Sequence, residues 1–237
     1  MKENNNYLNC KILLEKLSNG EIFNKDVTIS SRSEADLLMI DNLLTYLRGY
    51  LDYTSEFCTT LLPMLEIRIL EKMTMFGVEG DGCTDVFWLQ SGYGRYFINT
   101  TDEEGLPVEE TIDFCKPGKI LVISECLFNG EIRNFNLQLA SGAVVIPLPK
   151  KCFESLKLNA LEVEELANKI IALDKQDTFV EMKMRKMKPR ERYQEFLRIF
   201  GVEIEQYFAV KHIASYLGMQ PSYLSRLRGE NFKKKSD

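Results

Sequence analysis

The chain has 237 residues, of which 45% are hydrophobic and 27% are charged, and its formal net charge is −5. This length accommodates one large domain or two ordinary ones, and the composition is that of a globular protein. No apolar run approaches the ~20 residues that a membrane-spanning helix needs, and the N-terminal segment lacks a secretory cleavage pattern. We therefore expect a cytoplasmic protein that does not contact a membrane.

The cysteines and the single histidine argue against a metal centre. None of the cysteines has the C-x-x-C spacing that clustered thiolate ligands need, so we expect free thiols in a reducing compartment. With one His in the chain, neither a haem nor an iron–sulfur ligand set is expected, and we predict no cofactor. The six cysteines are Cys10, Cys58, Cys83, Cys115, Cys126 and Cys152.

Charge is distributed unevenly along the chain. From Glu181 to Asp237 there are 13 Lys and Arg residues against 7 Asp and Glu residues, whereas the whole chain has 30 against 35. The body is therefore acidic and the C-terminal part is basic. This asymmetry is typical of a nucleic-acid-binding C-terminal module.

Residues 1–57 are predicted to be a helical N-terminal extension. The segment "SRSEADLLMIDNLLTYLRGY" has apolar residues at helical spacing. Ser33 followed three residues later by Asp36 is a variant of the capping box, which predicts that a helix begins there. We find no catalytic cluster in this extension.

Residues 58–158 are predicted to form a β-roll (jelly roll). The segment is rich in aromatic and β-branched residues, and the Gly-containing turns "SGYG", "DEEG" and "KPGK" interrupt it. Short strands joined by such turns are typical of a β-meander, a barrel or a jelly roll. "DEEG" (102–105) predicts a hairpin tip at which Gly105 adopts a positive φ.

Residues 159–187 are predicted to form a long dimerisation helix. Eight positions follow steps of 3 and 4 residues, and seven of them are apolar, which is the pattern of a coiled-coil seam. The alternative is a helix that packs on the core of its own domain. The eight positions are Val163, Leu166, Ile170, Leu173, Asp177, Val180, Met184 and Met187.

Residues 188–237 have the pattern of a helix-turn-helix without an obvious β-wing after it. Pro189 is expected in a first helical turn, Gly218 in a left-handed turn, and Pro221 at the start of a second helix. The buried positions are predicted to be Ile213, Ala214, Leu217, Leu224 and Leu227. A short apolar helix, a Gly turn and a second helix with polar and Arg residues outside are the parts of a DNA-binding helix-turn-helix.

The order of β-roll, long helix and helix-turn-helix resembles the catabolite-activator and fumarate–nitrate-reduction regulator (Crp/Fnr) superfamily. "HIASYLGMQPSYLSRLR" is similar to the variants common in Bacteroidetes-like bacteria, which carry "IA-x-x-LG-x-x-P-x-x-LSR-x-R". The resemblance implies an α+β protein with a cyclic-nucleotide-binding-like roll. It also implies a homodimer on double-stranded DNA, with RNA polymerase and a small-molecule effector as further partners.

The resemblance assigns DNA contacts to the C-terminal segment. Arg226 matches the family's recognition-helix Arg and is expected to contact a base, since Arg suits bidentate contacts with guanine. Arg228 and a flexible arm carrying three lysines are expected to touch phosphates, which carry no base identity. The full set is Lys211, Gln220, Ser222, Tyr223, Ser225, Arg226, Arg228, Lys233, Lys234 and Lys235.

The roll departs from the cyclic-nucleotide-binding pattern. Where the family has a Gly-Glu pair, this chain has "VISE" (122–125), and the small residues expected after the phosphate-binding Arg are replaced by Asn134 and Phe135. We therefore expect negligible binding of cyclic nucleotides. The candidate ligand-binding residues, by position in the family pattern, are Ser124, Arg133, Asp177 and Thr178.

Catalysis is not expected, because the chain contains none of the motifs G-x-S-x-G, H-E-x-x-H or G-x-x-x-x-G-K-[ST]. The sequence predicts a dimeric DNA-binding transcription regulator. Two alternatives are a β-roll that binds a small molecule beside a vestigial helix-turn-helix, and a protein-interaction module that uses the helical extension.

Overall fold

The computed structural model describes residues 33–49, 61–78, 80, 85–121, 135–149, 168–169 and 179–236. The strands are β1 (Arg68–Ile69), β2 (Thr74–Gly77), β3 (Asp85–Ser91), β4 (Gly94–Thr101), β5 (Pro107–Cys115), β6 (Lys119–Leu121), β7 (Asn136–Leu139) and β8 (Val144–Pro149). The helices are α1 (Glu34–Arg48), a 3-10 turn (Leu62–Met64), α2 (Pro189–Phe200), α3 (Ile204–Tyr207), α4 (Val210–Tyr216) and α5 (Pro221–Ser236). Residues 168–169 and 179–185 are also helical, and we call residues 179–185 the linker helix.

Helix α1 begins at the predicted capping box. The backbone N–H of Asp36 donates to Oγ of Ser33 at 3.2 Å, and the N–H of Ser33 donates to Oδ2 of Asp36 at 3.1 Å. The helix packs on the roll, since the Tyr46 ring lies 4.8 Å from the Trp88 ring of β3. The predicted helix is confirmed, and its buried face is Ile40, Leu43, Leu44 and Leu47.

In the described part of the chain, the predicted β-roll contains two four-stranded antiparallel sheets. The strand order is β1-β8-β3-β6 in the first sheet and β2-β7-β4-β5 in the second. Alternate residues of both sheets point between them, as expected for sheets packed face to face. The roll core contains Phe87, Leu89, Cys115, Leu121, Leu137, Leu139, Ala143 and Val145.

The "DEEG" hairpin between β4 and β5 forms as predicted. Gly105 has a φ of 79°, a conformation that a residue with a Cβ adopts only at a cost. Asp102 closes the tip, because its Oδ1 accepts the backbone N–H groups of Glu104 at 3.0 Å and of Leu106 at 2.9 Å. The hairpin is therefore held by its own sequence and extends the second sheet beyond the roll core.

The C-terminal helices pack on the outer face of the second sheet and share one core with it. The Tyr93 hydroxyl donates to the Phe200 carbonyl at 2.8 Å, and the Thr111 N–H donates to Ser215 Oγ at 3.0 Å. Phe114 of β5 lies among four aromatic rings of the C-terminal helices. Their centroids are 5.1 to 6.0 Å away and belong to Phe196, Phe200, Phe208 and Tyr216.

The structure corrects one position of the predicted coiled-coil seam, Met184. Met184 is 0% exposed and belongs to the core of the C-terminal helices, so it is not available to a partner helix. The seam prediction is wrong at this position, because the linker helix turns Met184 towards the domain that follows. Its other side carries the exposed apolar residues Phe179, Val180 and Met182. The seam positions from Val163 to Asp177 lie outside the described residues.

Among the described residues, no helix combines the length and the apolar character that crossing a bilayer requires.

Candidate nucleic-acid interface

Helices α4 and α5 have the predicted helix-turn-helix arrangement. Gly218 has a φ of 59°, and the N–H of Met219 donates to the Ala214 carbonyl at 2.9 Å, which closes the turn after α4. Pro221 begins α5, as predicted. All five predicted inward residues are buried, at 0 to 5% exposure: Ile213, Ala214, Leu217, Leu224 and Leu227. The local pattern therefore leaves one face of α5 free.

The free face of α5 carries three of the residues predicted to contact DNA. Ser222, Ser225 and Arg226 are exposed. The Arg226 guanidinium lies over the ring of Tyr223 at 4.9 Å, which restrains a long side chain that would otherwise be flexible. Lys211 on α4 and Gln220 in the turn are also exposed. The structure brings these side chains to one end of the molecule.

Arg228 has a different environment from that of Arg226. Its Nε lies 2.9 Å from Oε1 of Glu205, and both side chains are largely buried. The same carboxylate oxygen accepts the Tyr193 hydroxyl at 2.7 Å. The guanidinium of Arg228 therefore ties α5 to α3 and α2. This internal role competes with the predicted phosphate contact, which stays a prediction.

The three lysines near the end of the chain were expected in a flexible arm. Instead the backbone of α5 continues to Ser236, so Lys233, Lys234 and Lys235 belong to the last turns of this helix. The expectation of an arm is corrected, because the helix continues through Gly229 without a break.

The predicted ligand-binding residues lie outside the described residues: Ser124, Arg133, Asp177 and Thr178. Their role stays a prediction. Within the described part of the chain, no group of three or more His, Cys, Asp and Glu side chains could hold a metal ion.

A polar network that the sequence did not reveal joins the roll to α4. Arg95 of β4 is 1% exposed, and its guanidinium forms an ion pair with Glu109 of β5. Its Nε donates to Gln138 at 2.8 Å, and its Nη1 lies 2.8 Å from Nδ1 of His212 on α4. A buried arginine needs such partners because an unpaired charge is costly to bury. The strand alternation gave no sign of it, since Arg95 lies on a face that an isolated sheet would expose.

The network keeps His212 neutral. Partial burial and the charge of Arg95 together lower the pKa of His212 to about 4. Because arginine can only donate, Nδ1 of His212 accepts, and the ring proton is on Nε2. Partial burial acts to raise the pKa of Glu109, but the hydrogen bond and charge of Arg95 hold it below its ordinary value.

A second interdomain contact joins two carboxyl groups. Asp113 of β5 and Glu181 of the linker helix share a hydrogen bond. Burial raises the pKa of Asp113 well above its ordinary value, and the neighbouring Glu181 raises it further. Burial likewise raises the pKa of Glu181. The pair therefore retains a proton, because two adjacent buried carboxylates repel each other.

Because of the Asp113–Glu181 pair, we expect the stability of the protein to decline as pH rises. The raised pKa of Asp113 means that the folded chain binds more protons than the unfolded chain above the ordinary Asp pKa. The free energy of unfolding should therefore fall as pH increases through the folded-state pKa. Asp113→Asn, which mimics the protonated form, should flatten this decline and add about 1 kcal/mol or more at about pH 8.

Urea unfolding at a series of pH values between about 5 and 8 measures the effect. Glu110→Gln removes an exposed carboxyl from the same strand and is the matched control. Equal pH dependence in wild type and Asp113→Asn would contradict the shared proton.

A cleft of about 780 Å³ lies between the β4–β5 hairpin and the helix-turn-helix. One wall carries the exposed polar residues of the hairpin, including Glu109 and Glu110, and the other carries Lys211, Met219 and Pro221. The start of α5 and the acidic strand β5 therefore border the same space.

The architecture is similar to that of several solved structures. The first is a protein from Eubacterium rectale assigned to the Crp/Fnr family of transcriptional regulators, with a TM-score of 0.58, 18% identity, and coverage of 77% of this chain and 85% of that one. FixK2 from Bradyrhizobium japonicum has a TM-score of 0.56 and 14% identity, with 72% and 86% covered. A cyclic nucleotide-binding domain containing protein from Listeria monocytogenes has a TM-score of 0.52 and 15% identity, with 83% and 91% covered.

This chain has the Crp/Fnr regulator fold. The predicted resemblance and the predicted fold class are confirmed at this level, whereas the Bacteroidetes-like variant stays a prediction. No family model matches the chain, and no curated protein matches it. At the low sequence identities to these structures, the similarity establishes only the fold. The function has to be argued from the residues of this chain.

Proposed function

We propose that this protein is a DNA-binding transcription regulator that acts as a homodimer in the cytoplasm. The observation that carries the proposal is the free face of α5. Leu224 and Leu227 anchor the helix, while Ser222, Ser225 and Arg226 are exposed. This is the arrangement with which a recognition helix enters the major groove. The regulatory neighbours and the basic C-terminal segment support the same conclusion.

Dimerisation is part of the proposal because a helix-turn-helix regulator commonly reads a two-fold site with two recognition helices. The exposed side chains of Phe179, Val180 and Met182 on the linker helix support it. We expect the pairing to use these side chains and not Met184. An effector at the roll and a contact with RNA polymerase are expectations that follow from the resemblance.

Arg226→Ala tests the base-contacting role. We expect the variant to lose about 1–3 kcal/mol of specific DNA-binding free energy and to relax the preference at one base pair. Removing the side chain should not unfold the domain, since it is exposed and its guanidinium lies over the ring of Tyr223. Selection of binding sites from random duplexes, followed by titration of the enriched sequence, measures both effects.

The matched control is Arg198→Ala, which removes an exposed arginine that pairs with Glu195 on the surface of α2. It should bind the same sequence with the same affinity as wild type. If wild type enriches no two-fold sequence, or if Arg226→Ala enriches the same sequence with equal affinity, the assignment of Arg226 is wrong.

A further inference from the structure

The contact between β5 and α4 joins the roll directly to the helix-turn-helix. Arg95 binds Glu109, Gln138 and Thr111 within the roll and His212 in the helix-turn-helix. Its guanidinium also lies 4.1 Å from the ring of Phe97. The roll therefore supplies most of the partners of Arg95, and α4 completes the set from outside. The contact between Thr111 and Ser215 lies beside it.

This contact holds the acidic hairpin alongside the start of the recognition helix. Thr100, Pro107, Glu109 and Glu110 of the hairpin line the same cleft as Lys211 and Pro221 of the helix-turn-helix. The hairpin tip adds Asp102, Glu103 and Glu104, all of them exposed. The cleft wall opposite Lys211 is therefore negatively charged.

DNA bound by the helix-turn-helix would come close to the acidic hairpin. In a helix-turn-helix complex the first helix crosses the DNA backbone, and the N-terminal residues of the second helix contact the bases. Phosphates would then approach Lys211 and Pro221, which are the residues that face Glu109 and Glu110 across the cleft. The carboxylates of Glu109 and Glu110 would repel these phosphates.

We propose that Arg95, Glu109 and His212 form an interdomain latch that holds the helix-turn-helix against the acidic hairpin in a DNA-excluding arrangement. The inference rests on the proposed DNA-binding function and adds its regulation. Opening the latch moves α4 away from β5, so that Lys211 and the start of α5 no longer lie beside the carboxylates of the hairpin. Any event that biases the docking of α4 on the roll then changes the fraction of molecules that can bind DNA.

The latch reduces the apparent affinity by the fraction of molecules in the open state. The apparent dissociation constant equals the intrinsic constant divided by that fraction, so weakening the closed state tightens apparent binding. Glu109 is the residue to change, because its side chain is 38% exposed and its loss leaves the roll core intact. Without Glu109, the guanidinium of Arg95 loses its ionic partner, which favours the open state.

Glu109→Ala and Glu110→Ala form a matched pair. Each removes one carboxylate from the same strand and the same cleft wall, but only Glu109 binds Arg95. We expect Glu109→Ala to tighten DNA binding at least about fivefold and Glu110→Ala to change it less than about twofold. The probe is the duplex that wild type selects. Equal effects of the two variants would show charge repulsion alone and would overturn the latch.

A reversible crosslink tests the same inference by holding β5 and α4 together. Thr111→Cys combined with Ser215→Cys places thiols on two neighbouring residues of β5 and α4, since the backbone N–H of Thr111 donates to the hydroxyl of Ser215 at 3.0 Å. We expect the oxidised protein to lose DNA binding at least about tenfold and the reduced protein to recover it. The single cysteine variants control for the native thiols, and intact mass identifies the disulfide.

The outcomes separate the two proposals. Oxidised and reduced forms that bind DNA equally overturn the latch and leave the proposed function standing. If wild type, Glu109→Ala and the reduced double variant all fail to bind any duplex, the DNA-binding function and the latch fall together. If the disulfide does not form, the comparison of Glu109→Ala with Glu110→Ala decides.

Discussion

Phe114→Ala is expected to lower the free energy of unfolding by about 3–5 kcal/mol, which is the usual cost of removing a large buried aromatic side chain. Phe114 is 3% exposed and lies on β5, yet its ring packs among Phe196, Phe208 and Tyr216 of the C-terminal helices. A cavity there weakens the only large aromatic contribution that β5 makes to the C-terminal core among the described residues. The variant should therefore lose cooperativity between the roll and the helices as well as stability.

Two probes measure this loss separately. Trp88 is the only tryptophan of the chain and lies in the roll, so its fluorescence follows the roll, whereas far-ultraviolet circular dichroism follows the helices. The two urea transitions should coincide in wild type and separate in Phe114→Ala. Val108→Ala, at an exposed position of the same strand, should change stability by less than about 0.5 kcal/mol. Coincident transitions at wild-type stability in Phe114→Ala would contradict the shared core.

Leu224→Ala is expected to cost about 2–5 kcal/mol, because Leu224 is 0% exposed and truncation leaves a cavity between α4 and α5. DNA binding should fall together with the loss of ordered α5, since the anchor side chain positions the exposed face. The variant therefore separates residues that hold the recognition helix from residues that contact DNA.

Ser225→Ala is the matched control, one residue away on the exposed face. It should leave thermal stability unchanged while it weakens DNA binding modestly. Thermal melts and DNA titration of both variants provide the measurement. If Leu224→Ala melts at the wild-type temperature, the assigned packing of α5 is incorrect.

Glu109 of the Arg95 latch and Asp113 of the Asp113–Glu181 pair both lie on β5, and both contacts reach the C-terminal helical part of the chain. One involves a buried cation with several partners, and the other involves two carboxyls that retain a proton. Buried polar contacts of this kind hold a single domain arrangement, and they lose their stability when one partner is removed. Strand β5 is therefore the element through which the roll can influence the helix-turn-helix.

The amino-acid sequence by itself determined the local elements. The capping box at Ser33, the hairpin tip at Gly105 and the turn at Gly218 form as predicted, because each depends on residues within a few positions of one another. The inward and outward faces of α4 and α5 were also predictable, since helical spacing alone assigns them.

The tertiary structure decided what covers the outer face of β4 and β5. Arg95 lies on a strand face that would be exposed in the isolated roll, and its partner His212 is 117 residues further along the chain. The burial of Met184 and the pairing of Arg228 with Glu205 arise in the same way, from packing between elements. Periodicity shows which residues share a face, but only the docking of the helices on the roll determines whether that face meets water, a partner or its own chain.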